Sequence, residues 1–304
     1  MAHATVLPGA NPVLASHQKL TIRKGAYTYS VQTRGDDSTY SVTDGVDTLT
    51  LPIRWSLGAQ AQTWVLERDG KFYESLMSYY PSIDGLDITT GDDSIVPTNL
   101  VQAMGRELSP SDTRSCFQCH ATNAVAGGKL ALESMKPGVA CEHCHLGATA
   151  HAQDAAAADF ESAPPKLKDL TSEDLSNFCG QCHRTWETVV RNRLRGEANV
   201  RFQPYRLANS KCFNGADPRI SCIACHDPHV DVVRGTAPYD AKCLACHATS
   251  TQTTTKATSE GRACPVAKSN CASCHMPKVN LPSGHLRFTD HQIRIVRPGE
   301  PYPN

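Results

Sequence analysis

Six times between Cys116 and His275 the chain repeats Cys-x-x-Cys-His, and any fold it adopts must satisfy that spacing six times over. The six are Cys116/Cys119/His120, Cys141/Cys144/His145, Cys179/Cys182/His183, Cys222/Cys225/His226, Cys243/Cys246/His247 and Cys271/Cys274/His275. Their starts are 25, 38, 43, 21 and 28 residues apart, too uneven for a tandem repeat of fixed period. The cysteines all lie in the last two thirds of the 304 residues, so a domain boundary near residue 100 is expected.

Thiol pairs at this spacing also form zinc knuckles, and Cys222, Cys225, Cys243 and Cys246 alone have an acceptable ribbon spacing. Zinc leaves the histidines unexplained: His is 13 of 304 residues, yet it follows all six pairs. One haem per motif explains both. Two thiols three positions apart add to the two vinyl groups of one macrocycle, and the next residue places its imidazole under the iron. Six covalently attached haem c groups are therefore expected, with His120, His145, His183, His226, His247 and His275 as proximal ligands.

Twelve cysteines are used in this way, leaving Cys212 and Cys264. An even remainder in an oxidising compartment suggests a disulfide, with two free thiols as the other reading. Charged residues balance at 30 and 30, which gives no reason to expect nucleic acid or an anionic membrane as partner. Haem propionates change that balance by about one negative charge per ferric haem, favouring protein redox partners with basic docking surfaces. No stretch approaches the length of a transmembrane segment. The start does not read as a signal peptide, yet haem attachment to such motifs is done outside the cytoplasm. The expectation is a periplasmic or extracellular protein whose leader has been removed.

Along the chain, residues 1–18 read as an unpatterned arm. From residue 19 to about 100 the sequence alternates as strands, with Leu20–Arg23, Ala26–Val31, Tyr40–Val42, Thr48–Leu51 and Trp64–Glu67 separated by turn signals at Asp36-Asp37, Asp44-Gly45 and Asp69-Gly70. Residues 101–297 read as short helices and irregular segments, and residues 298–304 as a Pro-rich tail. Helices are expected over Ala148–Phe160 and, opened by a capping box at Thr171, over Ser172–Leu194. The fold class is α+β: a small antiparallel β module, then a loop-rich, mainly short-helical domain in which haems form the core.

Seven histidines remain beyond the proximal six: His3, His17, His143, His151, His229, His285 and His291. These residues carry a resemblance to the multihaem cytochromes c grouped around hydroxylamine oxidoreductase, the pentahaem nitrite reductases and their small tetrahaem electron-transfer relatives. His151 stands six residues after His145, the family's spacing for a ligand to a different haem, with Leu146-Gly147-Ala148 in place of Gly-Pro-Gly. Cys225-His226-Asp227-Pro228-His229 is similar to the family's Cys-His-x-Pro-His. Met276-Pro277-Lys278 followed by Phe288-Thr289-Asp290-His291 resembles its closing segment. The resemblance implies His151, His229 and His291 as distal ligands; His285 and His17 come next. His143, between the thiols of its own motif, His3, on the arm, and Met276 rank below them.

Two functions fit. The first is an electron carrier, in which closely spaced, mostly bis-His haems pass charge between redox partners, and in which self-association into longer haem chains is left open. The second is an oxidoreductase with one five-coordinate haem acting on a small nitrogen or oxygen species, where Arg184, Arg201 or Arg206 binds an anionic substrate. Haem propionates are the other partners open to those arginines. The Cys-x-x-Cys-Lys motif of the pentahaem nitrite reductases is absent from this sequence, which favours the carrier and no catalytic residue.

Overall fold

The computed structural model describes residues 4–157, 164, 166–247, 264–281, 285–297 and 299–303. The chain divides into two compact units, Met1–Pro165 with Pro282–Leu286, and Lys166–Leu281 with Arg287–Asn304. The first unit thus holds the β-rich region together with the first two Cys-x-x-Cys-His motifs, and the second holds the other four.

Unit one is built on an antiparallel sheet. Its strands are β1 (Thr5–Val6), β2 (Lys19–Lys24), β3 (Tyr27–Arg34), β4 (Asp37–Thr43), β5 (Thr48–Leu57), β6 (Thr63–Arg68) and β7 (Lys71–Ser75). A ladder of β8 (Met77–Tyr80) and β9 (Gly85–Ile88) comes next, then β10 (Gly105–Glu107). The sheet order is β10-β7-β6-β5-β4-β3-β2, with β1 added on β5. Alternation puts Tyr29 and Val31 of β3 opposite Val42 and Tyr40 of β4. All four are buried, which is the aromatic and β-branched cross-strand pairing that stabilises a sheet face. The segment expected as an arm is tied down. Helix α1 (Pro12–Ser16) is capped by Asn11, whose amide donates from the buried interior to Ser56 and Gln62 at 2.7 and 2.8 Å.

The β5–β6 register shifts between Ile53 and Trp55. In an unbroken strand these two residues share a face. The shift instead sends Ile53 into the main core with Val31, Tyr40 and Leu66, and Trp55 into a second cluster with Phe117, Leu108 and Val65. This irregularity is what brings the sheet against the first thiol motif.

The α-helices of the first unit continue with α2 (Leu100–Met104), α3 (Pro110–His120), α4 (Cys141–Cys144) and α5 (Ala148–Ala156). Part of the helix expected to run to Phe160 lies outside the described residues. Unit two contains α6 (Ser172–His183), α7 (Trp186–Arg191), α8 (Gln203–Ala208), α9 (Cys222–Cys225), α10 (Ala237–His247) and α11 (Cys271–His275). The single helix expected over Ser172–Leu194 is two helices. Arg184 adopts a left-handed backbone with φ of 65°, and Thr185 caps α7 by accepting from the Thr188 N–H. Gly180 makes this break possible, because a Cβ there would meet the Thr185 methyl at 2.7 Å. Buried apolar side chains are sparse among the described residues of this unit, mainly Leu175, Val189, Val200, Leu207, Ala272 and Leu281.

Candidate haem-attachment sites

All six thiol pairs lie on helical turns, so the two sulfurs of each pair project from one face. Three pairs end the longer helices α3, α6 and α10, and three occupy the single turns α4, α9 and α11. None of the twelve cysteines is joined to another by a disulfide, and none is fully buried. Cys141, Cys225 and Cys274 are exposed; Cys116, Cys119, Cys144, Cys179, Cys182, Cys222, Cys243, Cys246 and Cys271 are half-buried. Exposure is therefore uneven within a pair. On α11 the Cys274 sulfur is open to solvent, 3.8 Å from the Ser273 hydroxyl, while Cys271 is partly covered. On α3 Cys119 and Cys116 are covered alike, and burial pushes the Cys116 thiol up to about 11.

The expectation that these residues are cofactor anchors meets one direct alternative, a metal site made of the same thiols. Among the described residues no group of three or more His, Cys, Asp and Glu converges as a metal site would. The thiol pairs and their histidines fit haem c. Such a group, when bound, supplies one-electron chemistry at its iron.

The first motif is fixed from both ends of α3. Ser109 and Asp112 form a capping box with Pro110 at the first helical position, and Phe117, between the thiols of Cys116 and Cys119, packs edge-on against Trp55 at 5.0 Å. His120 Nδ1 donates to the Ala4 carbonyl at 2.8 Å. That bond fixes the tautomer and leaves Nε2 with its lone pair, as an axial ligand requires. Around the second motif, Lys136 bonds Glu142 at 2.7 Å, and Thr149 bonds the same carboxylate. These contacts hold the Glu142 carboxyl down to about 2. A groove of about 420 Å³ runs beside Cys141, floored by Ala148, Ala152 and Ala156 of α5. The small side chains leave a flat apolar face there. On the same helix His151 has a buried Nδ1 with no hydrogen-bond partner among the described residues.

In unit two the motifs touch each other. The Cys222 thiol hydrogen-bonds Cys179, which brings it down to about 7 against the opposing effect of burial. Burial raises Cys243, whose thiol hydrogen-bonds Cys271. Asp240, one turn before Cys243 on α10, accepts from the backbone N–H of Asn270 and Cys271 at 2.7 and 2.8 Å. It ties the start of α11 to α10, a capping contact with no local sign in the sequence.

The closing segment supplies the best-defined pair of imidazoles. The rings of His226 and His291 have centroids 6.2 Å apart and planes 40° apart. His291 Nδ1 donates to the Thr289 carbonyl at 2.9 Å, and His275 Nδ1 donates to the Arg294 carbonyl at 2.9 Å. Both rings therefore present Nε2. Two metal–nitrogen bonds of about 2 Å each, with the reach from nitrogen to ring centre, put opposed imidazole centres roughly 6 Å apart. His229 Nδ1 is 3.0 Å from the Asp227 carboxylate, the carboxylate–histidine arrangement that orients a ligating ring.

Other candidates from the sequence are placed elsewhere. His17 has both ring nitrogens engaged, Nδ1 with the Val13 carbonyl at 2.9 Å and Nε2 with Asp84 at 3.0 Å. His285 Nε2 meets Asp87 at 2.8 Å, and its ring lies against Tyr80. Both are thus ion-pair partners within the β-sheet unit, with the ligating nitrogen taken by a carboxylate. His143 bonds the Ala121 backbone, and His3 lies outside the described residues. The disulfide expected between Cys212 and Cys264 is replaced by two free thiols, and Cys212 lies instead in the field of Cys225, Cys243 and Cys246. Arg206 does not serve an outside anion, being engaged in a buried fork with Asp290. Arg201 lies over the Phe202 ring and close enough to Arg184 for their charges to interact.

Residues 96–146, which span the first two motifs, match the family model described as Cytochrome c554 and c-prime. Among characterised proteins and solved structures, no match is significant. The motifs and the family match over residues 96–146 together support, at a coarse level, a c-type cytochrome, a haem-carrying electron-transfer protein. No helix among the described residues is long and apolar enough to cross a membrane.

Proposed function

We propose that the chain is a hexahaem c-type cytochrome that moves electrons between protein partners outside the cytoplasm, in the manner of the multihaem family its closing motifs resemble. The observation that carries this reading is the contact between motifs: Cys179 with Cys222, and Cys243 with Cys271. Thiols that touch place their macrocycles side by side, and adjacent redox centres are what electron hopping needs. The charge interactions of Cys212 with Cys225, Cys243 and Cys246 support a placement of the fourth and fifth motifs near one another. The shortage of buried apolar side chains in this unit supports a core made by the macrocycles themselves.

The distal ligands proposed are His291 for the iron held by His226, together with His151 and His229. His17 and His285 are left out because carboxylates hold their Nε2 atoms. That choice gives the second reading its own support. Three distal histidines do not fill six irons, so an iron open to a small nitrogen or oxygen species belongs to the alternative, an oxidoreductase. Intact mass of the mature protein, together with electron paramagnetic resonance of the oxidised form, tests both. Six haems with low-spin signals throughout support the carrier. A high-spin ferric iron that binds cyanide or nitric oxide supports the enzyme, and a mass below six haems overturns the hexahaem reading.

A further inference from the structure

Arg206 and Asp290 form the most deeply buried ion pair among the described residues of unit two, with side chains 1% and 0% exposed. The guanidinium grips the carboxylate through two parallel bonds of 2.8 and 2.9 Å. Its remaining donors reach the Gln292 side chain at 2.7 Å and the Pro303 carbonyl at 2.8 Å, and it lies 4.5 Å over the Tyr302 ring. Burying two charges is a costly way to gain stability, since well-packed apolar groups of the same volume commonly do as well or better. What such a fork supplies is position.

The position it fixes is shared by two irons. Residue 291, next to Asp290, is the histidine that faces His226. The Asp290 N–H donates to the Pro277 carbonyl at 2.9 Å, anchoring the segment beside the exit of the sixth motif. Four residues on, Arg294 bonds the same Asp290 carboxylate. Its backbone N–H donates to the His275 carbonyl at 3.2 Å, and its own carbonyl accepts from His275 Nδ1. Residues 290–294 therefore carry one axial ligand and orient another.

We propose that Arg206 and Asp290 are positioning residues that set the axial imidazoles of two haems at once, His291 opposite His226 and His275 in the sixth motif. This rests on the hexahaem reading. The test is electron paramagnetic resonance and cyanide titration of the oxidised holoprotein, comparing the parent with Arg206→Lys, which keeps the charge and loses the fork. A second variant, Arg206→Met with Asp290→Asn, removes both charges of the fork together, gives Arg294 an amide oxygen in place of its carboxylate partner, and decides the matter if Arg206→Lys does not accumulate. The expected result is unchanged haem content by mass, shifted g values for two haems, and cyanide binding gained at one. Signals identical to the parent's in the variant that accumulates, or changes spread over every haem, overturn the proposal. A parent protein with fewer than six haems overturns the underlying reading instead, before any variant is made.

Discussion

His226 and His291 stand with ring centroids 6.2 Å apart although 65 residues separate them in the chain, and each belongs to a differently built segment. His226 ends a helical turn that carries two thiols; His291 comes after a short strand and is held by the Thr289 carbonyl. Replacing His291 by alanine is expected to free the distal side of one iron. Cyanide titration of the oxidised protein should then show one more binding equivalent than the parent, with haem content unchanged.

Trp55 links the sheet to the first motif through its edge contacts with Phe117 at 5.0 Å and Phe72 at 5.4 Å. Trp55→Ala should destabilise the first unit by about 3–5 kcal/mol, the usual cost of removing a buried indole. Urea unfolding monitored by far-ultraviolet circular dichroism would measure this.

A pH-dependent contribution comes from Asp87. Burial acts to raise its carboxyl, but His285 and Lys24 outweigh it and hold the group below its ordinary 3.8, at about 2. A carboxylate depressed on folding stabilises the folded state above its unfolded value, and this contribution fades as the pH falls through the folded one. Asp87→Asn should therefore lower the urea midpoint at pH 6. The difference from the parent should shrink steadily between about pH 4 and pH 2.

Removing one macrocycle should be felt next door. Cys179→Ala with Cys182→Ala deletes the anchors of the third motif. Because Cys179 touches Cys222, the midpoint potential of the fourth haem is expected to move, while those of haems whose thiols do not touch Cys179 move less. Spectroelectrochemical titration against the parent would show whether the shift is confined in this way.

The sheet was legible where alternation was strict. Tyr29, Val31, Tyr40 and Val42 announce their shared face in the sequence, whereas β8 reads as Met-Ser-Tyr-Tyr, buried at every position, and carries no period at all. The break in the helix at Arg184 was not legible, because it depends on Gly180 admitting Thr185, a contact between neighbouring turns that periodicity does not encode. The partners of the spare histidines were not legible for a different reason. His17 and His285 are equivalent to the others in sequence, and their carboxylate partners stand 67 and 198 residues away. Arg206 reads as an anion receptor on the same ground, since Asp290 lies 84 residues further on. Among the thiols the spacing marks each pair but not its covering: Cys119 and Cys274 hold the same place in their motifs, yet one is half-buried beside the sheet and the other faces solvent.

The touching thiols of Cys179 and Cys222 also bear on how such a protein is made. Forty-three residues apart in sequence, they come together only once unit two has folded. In an oxidising compartment, a chain that reached this fold before its cofactors were attached would hold two sulfurs poised to form a cross-link between motifs. Each motif would then lose an anchor. On the hexahaem reading, ligation to the unfolded chain is expected to come before closure of the second unit, with the cofactor as the template on which that unit assembles.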